Sequence, residues 1–198
     1  MNDHISQMLL FNKKRKAVSI KETIAMRESG ILMHITSLPA PYGIGTMGKD
    51  AYAFVDFLVR AGQRYWQILP LTPTGYGDSP YQSLGACAGN HYLINLDRLA
   101  DEGLLKKEEI QNIPWGSNPA RVDFGAMYAH RMNVLRQAFQ RFTPDGAYET
   151  FVEQNRNWLE DYALFMALKD TLGGKPWLDW PEALRLRKAD ALAEKRRE

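Results

Sequence analysis

Two short apolar runs, separated by one amphipathic segment, constrain the fold of this chain more than any other feature. Residues 30–38 (GILMHITSL) and 64–71 (RYWQILPL) are short and bounded by glycine or proline, which favours buried strands over helices. Between them, apolar residues at helical spacing predict a helix over residues 49–61, with Gly62 as its C-cap. Strand, helix and strand within about forty residues predict a βαβ unit. Because both runs are apolar on both faces, we expect a parallel sheet covered by helices.

The later part of the chain changes character, because no strand pattern returns after about Leu96. Two apolar stripes at helical spacing predict helices there, and residues 182–198 predict a charged amphipathic helix. The two stripes are Met127, Val134, Leu135, Ala138, Phe139 and Phe142, and Tyr148, Phe151, Val152, Trp158, Leu159, Tyr162 and Met166. Since two strands close no sheet and leave their edges exposed, we expect this chain to be the front part of a longer protein.

Composition excludes several classes of function. The net charge of +2 over 198 residues argues against binding to nucleic acid or to a membrane surface. The single Cys87 excludes a disulfide framework and favours a reducing cytoplasm, and the four histidines lack metal-ligand spacing. No apolar run approaches the ~20 residues that span a bilayer. The basic runs at residues 13–16 and 195–197 leave a nucleic-acid-binding domain open as a rival interpretation.

The loop after the second predicted strand, residues 72–90 (TPTGYGDSPYQSLGACAGN), is too long and irregular for a minimal turn. In parallel α/β sheets, ligands bind in the loops at the carboxyl ends of the strands. Tyrosine rings offer apolar faces to a pyranose and hydroxyls to its rim, and the loop's other polar groups supply hydrogen bonds of both kinds. The residues that suit a sugar in this loop are Tyr76, Asp78, Ser79, Tyr81, Gln82 and Asn90.

Each of these residues also has a plainer interpretation. Asp78 begins the sequence Asp-Ser-Pro, whose residues favour a turn. The alternative interpretation of the tyrosines is that they pack against the rest of the protein. Asp78 is a poor candidate for a glycosidic nucleophile, because retention needs a second carboxyl group about 5–5.5 Å away. The first loop holds no acid before Asp50. His34 lies within an apolar run and is more typical of a hydrogen-bonded core histidine than of a catalytic base.

Three segments in this order resemble a known family. GILMHITSLPAPYGIGTMG, RYWQILPLTPTGYGDSPYQSLGACAGNHYLINLD and WLEDYALFMALKDTLGGKPWLDWP resemble the 4-α-glucanotransferases, or amylomaltases, of glycoside hydrolase family 77. The resemblance covers about residues 26–193. It implies an α/β fold in which this chain is the N-terminal part of an incomplete (β/α)8 TIM barrel with a helical insertion subdomain. It also implies retaining transfer of α-1,4-glucan segments (maltodextrin, glycogen or starch) to glucose or another glucan, with no cofactor.

The resemblance also implies roles for particular residues. Ser79 and Tyr81 are similar to groups near the subsites of the scissile bond, and Tyr76 and Tyr128 to a more remote glucan-contacting pair. Asp78 is also a substrate-binding candidate, on the separate ground that its carboxylate can accept hydrogen bonds from a sugar. The loop departs from the family's usual sequence at Gly85, Cys87 and His91.

The resemblance implies that the family's catalytic carboxylates lie on later strands, so that this chain carries no catalytic residue and is inactive alone. The expected organisation is a flexible extension over residues 1–25, the first βα units with the glucan-binding loop over 26–98, and a truncated helical insertion over 99–198. Met26 is a candidate initiator. The rival interpretation from another class is a non-catalytic maltodextrin-binding module.

Overall fold

A computed structural model describes residues 27–75, 77–118 and 120–197, and most of the regular structure in them is helical. The helices are α1 (Lys49–Arg60), α2 (Leu96–Asp101), α3 (Lys107–Gln111), α4 (Phe124–Arg141), α5 (Gly146–Asn155), α6 (Leu159–Thr171), α7 (Glu182–Arg185) and α8 (Ala189–Arg197). Short 3₁₀ turns lie at Ile35–Ser37, His91–Leu93 and Trp177–Asp179. The predicted extension over residues 1–25 lies outside the described part of the chain, as does Met26.

The sheet consists of two parallel strands, β1 (Gly30–Leu32) and β2 (Tyr65–Gln67), joined through α1, which confirms the βαβ prediction. Each strand has three residues, fewer than the apolar runs predicted, because the first run turns into the 3₁₀ helix at Ile35–Ser37. The prediction that the strands are buried is wrong within the described residues: Leu32 is 60% exposed and Tyr65 is 58% exposed. No third described strand pairs with them or covers them.

Helix α1 forms where the spacing of apolar residues predicted it. Its end has the hydrogen bonds of a Schellman motif: the Gly62 N–H donates to Val59 at 3.1 Å, and the Gln63 N–H donates to Leu58 at 2.9 Å. Gly62 has a φ of +68°, which a residue with a Cβ adopts only with strain. Phe54 meets the Trp66 ring edge-on at 4.9 Å between centroids, so α1 packs on β2.

The chain divides into two compact units, and the first comprises residues 27–84 and 89–143 among those described. Its largest core cluster combines the first βα loop with α2, α3 and α4. The buried members of this cluster are Tyr42, Ile44, Tyr92, Leu96, Leu105, Ile110, Trp115, Met127, Val134 and Ala138. The predicted α4 stripe is confirmed at its centre but is wrong at Phe139, which is 73% exposed.

The second unit comprises residues 85–88 and 144–197, and its core consists of Leu168, Trp180, Leu184 and Leu192. The second predicted stripe forms two helices instead of one, because Trp158 leaves helical geometry with a φ of −136°. The predicted helix over residues 182–198 is also interrupted, since Arg187 takes a left-handed φ of +55° between α7 and α8. Gly85 has no room for a side chain, because an added Cβ would lie 2.7 Å from the Tyr162 ring. The predicted domain boundary near residue 98 stays a prediction.

None of the helices in the described part of the chain is long and apolar enough to cross a membrane.

Candidate functional site

The loop that follows β2 is tied at several points along its length. The Asn90 N–H donates to the Leu71 carbonyl at 2.7 Å and closes the base of the loop. Farther out, Thr74 and Ser83 form an isolated antiparallel bridge, and the Gly75 N–H donates to the Gln82 carbonyl at 3.0 Å. The loop is therefore a narrow hairpin-like excursion with its own hydrogen bonds.

The tip of this loop contains two consecutive residues with left-handed backbone. Gly77 has a φ of +87° and Asp78 has a φ of +58°. The Asp78 N–H donates to the Gly75 carbonyl at 3.3 Å, which closes a tight turn. Aspartate is one of the few residues with a Cβ that enters this region readily. This geometry supports the interpretation of Asp78 as a turn-forming residue.

The side chain of Asp78 has a long-range partner. Its Oδ1 accepts a hydrogen bond from the hydroxyl of Tyr128, which lies 50 positions farther along the chain on α4. Burial raises the pKa of the Asp78 carboxyl above its ordinary value. Asp78 therefore shapes the turn with its backbone and connects the loop to α4 with its carboxylate.

The ring of Tyr128 packs against a buried tyrosine and remains half exposed. It meets the buried ring of Tyr92 edge-on, with 5.9 Å between the centroids, and 49% of Tyr128 is exposed. Burial raises the pKa of Tyr92, and the negative charge of Asp78 raises it further, so the two side chains lie close enough to interact. Tyr128 thus exposes about half of its surface to solvent, while its hydroxyl binds Asp78 and its ring packs against Tyr92.

Arg131 holds the segment that follows the loop against α4. It is fully buried, and its Nη2 donates to the carbonyl oxygens of Tyr92, at 3.1 Å, and of Ile94. Its guanidinium lies over the Trp115 ring, 5.7 Å from the centroid, a cation–π distance. Burial lowers the Arg131 pKa to about 10, so the side chain remains charged at neutral pH. Its Nε and Nη1 have no hydrogen-bond partner among the described residues.

Sequence reasoning did not single out Tyr92 or Arg131. A signal for Arg131 was present, since it lies four residues after Met127 and three before Val134, on the face that α4 buries. An arginine on such a face is easily taken for a solvated residue. The position of Tyr92 had no comparable signal.

The other predicted site residues lie close to this contact in sequence. Ser79 is half-buried, and its Oγ accepts a hydrogen bond from the Tyr81 N–H at 3.3 Å. The Tyr81 side chain is 72% exposed. Tyr76 lies outside the described residues, so its predicted contact with Tyr128 stays a prediction. The structure joins Asp78 to Tyr128 directly, and the glucan-binding roles of all five residues stay predictions.

Other candidate groups have simpler surroundings. His34 follows β1 with a buried Nδ1 that lacks a hydrogen-bond partner among the described residues, and burial lowers its pKa. This finding contradicts the expectation of a hydrogen-bonded core histidine. No cluster of three or more metal-ligating side chains occurs in the described ranges. In the basic run near the end of α8, Arg196 pairs with Asp161 at 3.3 Å, whereas residues 13–16 lie outside the described part.

Comparison with known proteins gives consistent matches. The model of the 4-alpha-glucanotransferase family matches residues 33–198. A 4-alpha-glucanotransferase of Thermus thermophilus is 51% identical over 174 residues, and one of Streptococcus pneumoniae is 49% identical over 170 residues. These alignments cover 85% and 84% of this chain, and 34% of each relative. The chain thus spans about a third of the length of these curated relatives.

A solved structure matches the same region. The amylomaltase from Streptococcus agalactiae in complex with acarbose superposes with a TM-score of 0.81 at 46% identity. The match covers 86% of this chain and 35% of the amylomaltase chain. Similarity of sequence and of fold therefore extends over most of the chain.

Proposed function

Because the chain belongs to the 4-alpha-glucanotransferase family, we propose that the whole protein transfers segments of α-1,4-glucan to the 4-hydroxyl of glucose or another glucan. The observation that carries this proposal at the site is the loop after β2, which presents Tyr81 beside Ser79 and connects through Asp78 to the exposed Tyr128. Exposed tyrosine rings next to hydroxyl and carboxylate groups suit the apolar faces and polar rims of pyranoses.

In this proposal, the described residues contribute binding surface. Retaining transfer proceeds through a covalent glycosyl intermediate and needs two carboxyl groups about 5–5.5 Å apart. We place the nucleophile and the acid/base on barrel strands that this chain does not supply, which agrees with the third of the relatives' length that it spans. Ser79 and Tyr81 would contact sugar near the scissile bond, and Tyr76 and Tyr128 would contact a more remote part of the glucan.

The proposed fold is the first part of a (β/α)8 barrel, with the helices after α2 as an insertion subdomain. The parallel β1–α1–β2 unit supports it, since that unit is the repeating element of such barrels. The exposure of Leu32 and Tyr65 also supports it, because barrel strands are covered by their neighbours and by helices.

The proposed substrates are maltodextrin, glycogen or starch, with glucose as an acceptor. The matched amylomaltase was solved in complex with acarbose, which supports a sugar as ligand of the whole protein. A cytoplasmic location is part of the same proposal. Two plant relatives carry chloroplastic or amyloplastic in their names, so location varies within the family.

A chimeric enzyme tests the catalytic part of this proposal. Residues 33–198 would replace the matching segment of the Thermus thermophilus relative, and the chimera would be incubated with maltotriose. We expect glucose and longer maltodextrins from the chimera and none from the 198-residue chain alone. The release of glucose by the chain alone would contradict the assignment of catalysis to other strands and would return Asp78 as a candidate nucleophile.

Two further variants of the chimera test the role of the loop. Tyr81→Ala should lower kcat/KM by about tenfold, or ~1.4 kcal/mol, because the ring would lose its contact with sugar. The matched control is Tyr52→Ala, which removes an exposed tyrosine from α1. A folded but inactive chimera whose loop still binds maltodextrin would favour the non-catalytic binding module.

A further inference from the structure

We propose that Asp78 is a positioning residue: its carboxylate holds the Tyr128 hydroxyl and thereby fixes the exposed Tyr128 ring for contact with glucan. The inference rests on the proposed function and deepens it, because it gives two predicted binding residues different roles. Tyr128 contacts sugar through its ring, and Asp78 acts through Tyr128 without contacting sugar itself.

The backbone at Asp78 supports this assignment. Asp78 has a φ of +58°, which a glycine at this position would adopt without steric cost. The preceding residue, Gly77, already has such a backbone, with a φ of +87°. The turn alone therefore does not require a carboxylate at Asp78. The hydrogen bond from Tyr128 is the interaction that a glycine there would lack.

The position of Tyr128 is fixed at two points. Its hydroxyl donates to Asp78, and its ring packs against that of Tyr92 in a T-shaped arrangement with 5.9 Å between the centroids. Tyr92 is buried, and Arg131 binds its carbonyl oxygen at 3.1 Å, so the surface that supports the ring is itself held in place. Since the hydroxyl is occupied, the exposed part of the Tyr128 ring is what remains available to the C–H surface of a pyranose.

The charge on Asp78 makes this contact stronger than a bond between two neutral groups. A hydrogen bond to an ionised acceptor is roughly twice as strong as a neutral one. Partial burial of Asp78 raises the pKa of its carboxyl. A fixed aromatic ring loses less conformational freedom when a ligand binds, and this preorganisation is the benefit that Asp78 would supply.

The test titrates the 198-residue chain with maltoheptaose and compares Asp78→Gly, Tyr128→Phe and the double variant. Asp78→Gly keeps the left-handed backbone and removes the acceptor, whereas Tyr128→Phe keeps the ring and removes the donor. Each single variant should weaken binding by roughly three- to tenfold, and the double variant should bind no more weakly than either one. Asp78→Asn, which keeps a neutral acceptor oxygen and tolerates this backbone, should bind more tightly than Asp78→Gly and roughly two- to threefold more weakly than the wild type.

The control for the loss of a hydroxyl is Tyr52→Phe, on an exposed tyrosine of α1, which should bind as the wild type does. Losses that add in the double variant would overturn the proposal, because they would show that the two side chains act separately. A loss in Asp78→Gly without one in Tyr128→Phe would overturn it too, and would indicate direct contact between Asp78 and sugar.

Urea unfolding of the wild type, Asp78→Gly, Tyr128→Phe and the double variant measures the Asp78–Tyr128 contact in the absence of glucan. The shift in midpoint of the double variant should be clearly smaller than the sum of the two single shifts. If the shifts in urea midpoint add in the double variant while the wild type binds maltoheptaose, the positioning role is overturned and the proposed function is left intact. If the shifts do not add but the folded wild-type chain does not bind maltoheptaose, the glucan-binding function of this loop is overturned, and the positioning role with it.

Discussion

Two regions of the first unit bury their apolar side chains to opposite extents. In β1 and β2, Leu32 and Tyr65 are mostly exposed, whereas on α4 Met127 and Val134 are almost completely buried. A helix satisfies its backbone hydrogen bonds internally and buries one face against nearby elements. A strand depends on neighbouring strands for its hydrogen bonds and on other layers for cover. Within the described residues, α4 therefore buries its apolar face, whereas β1 and β2 leave much of theirs exposed.

The candidate site is connected to both regions. Its loop begins soon after β2, and its tip is connected to α4 through the hydrogen bond between Tyr128 and Asp78. Arg131 ties the segment after the loop to the same helix. The site is therefore supported by the well-packed region, and we expect its geometry to depend on α4 more than on the exposed faces of the strands.

The largest change in stability is expected when one apolar side chain on α4 and one on β1 are truncated separately and the two losses are compared. Met127→Ala removes a side chain with no exposure from the α4 core and should destabilise the chain by about 2–5 kcal/mol. Leu32→Ala removes a side chain that is 60% exposed on β1 and should change stability by no more than about 0.5 kcal/mol. Urea unfolding followed by circular dichroism measures both, and equal losses would contradict the contrast.

A smaller change in stability is expected from an ion pair at the solvent-accessible end of α4. Arg141 donates two hydrogen bonds of 2.6 Å to Glu109 on α3, and the Lys106 N–H donates to the same carboxylate at 2.8 Å. These hydrogen bonds lower the pKa of Glu109 to about 2. The pair is accessible to solvent, so its contribution should be much smaller than that of Met127.

The sign of the pH dependence at Glu109 follows from its lowered pKa. A carboxyl whose pKa is lower in the folded state stabilises that state above the ordinary value of 4.5 and loses the effect as the pH falls toward about 2. The difference in urea midpoint between the wild type and Glu109→Gln should therefore be full at pH 6 and shrink between pH 4.5 and 2. A difference that stays constant over this range would show that the ion pair does not stabilise α3 against α4.

Local patterns were sufficient to predict the elements that do not depend on distant partners. The apolar spacing and Gly62 predicted α1 and its end, and the βαβ pattern predicted the parallel pairing of β1 with β2. The length and exposure of the strands could not be predicted, because they depend on which neighbours cover the sheet. The interruptions at Trp158 and Arg187 could not be predicted either, since they divide stretches whose apolar spacing suits continuous helices.

The candidate site was predictable in part. Glycines and tyrosines in a long loop after a strand identified the region, and the turn chemistry of Asp78 agrees with its left-handed backbone. The bond to Tyr128 spans 50 positions, and no local pattern contains it. Tyr128 was included only through resemblance to the family. Arg131 was not identified, because burial of a charged residue depends on the carbonyl groups that the fold places around it.

The most direct measurement of the central claim is the affinity of the folded 198-residue chain for maltoheptaose, measured by isothermal titration calorimetry for the wild type, Tyr81→Ala and Tyr52→Ala. The loop is proposed to bind glucan, so the wild type should show weak, saturable binding. Tyr81→Ala should weaken it about tenfold, or ~1.4 kcal/mol, and Tyr52→Ala should leave it unchanged. Absence of saturable binding by a folded wild-type chain, or equal affinities for all three proteins, would contradict the claim that this loop forms part of a glucan site.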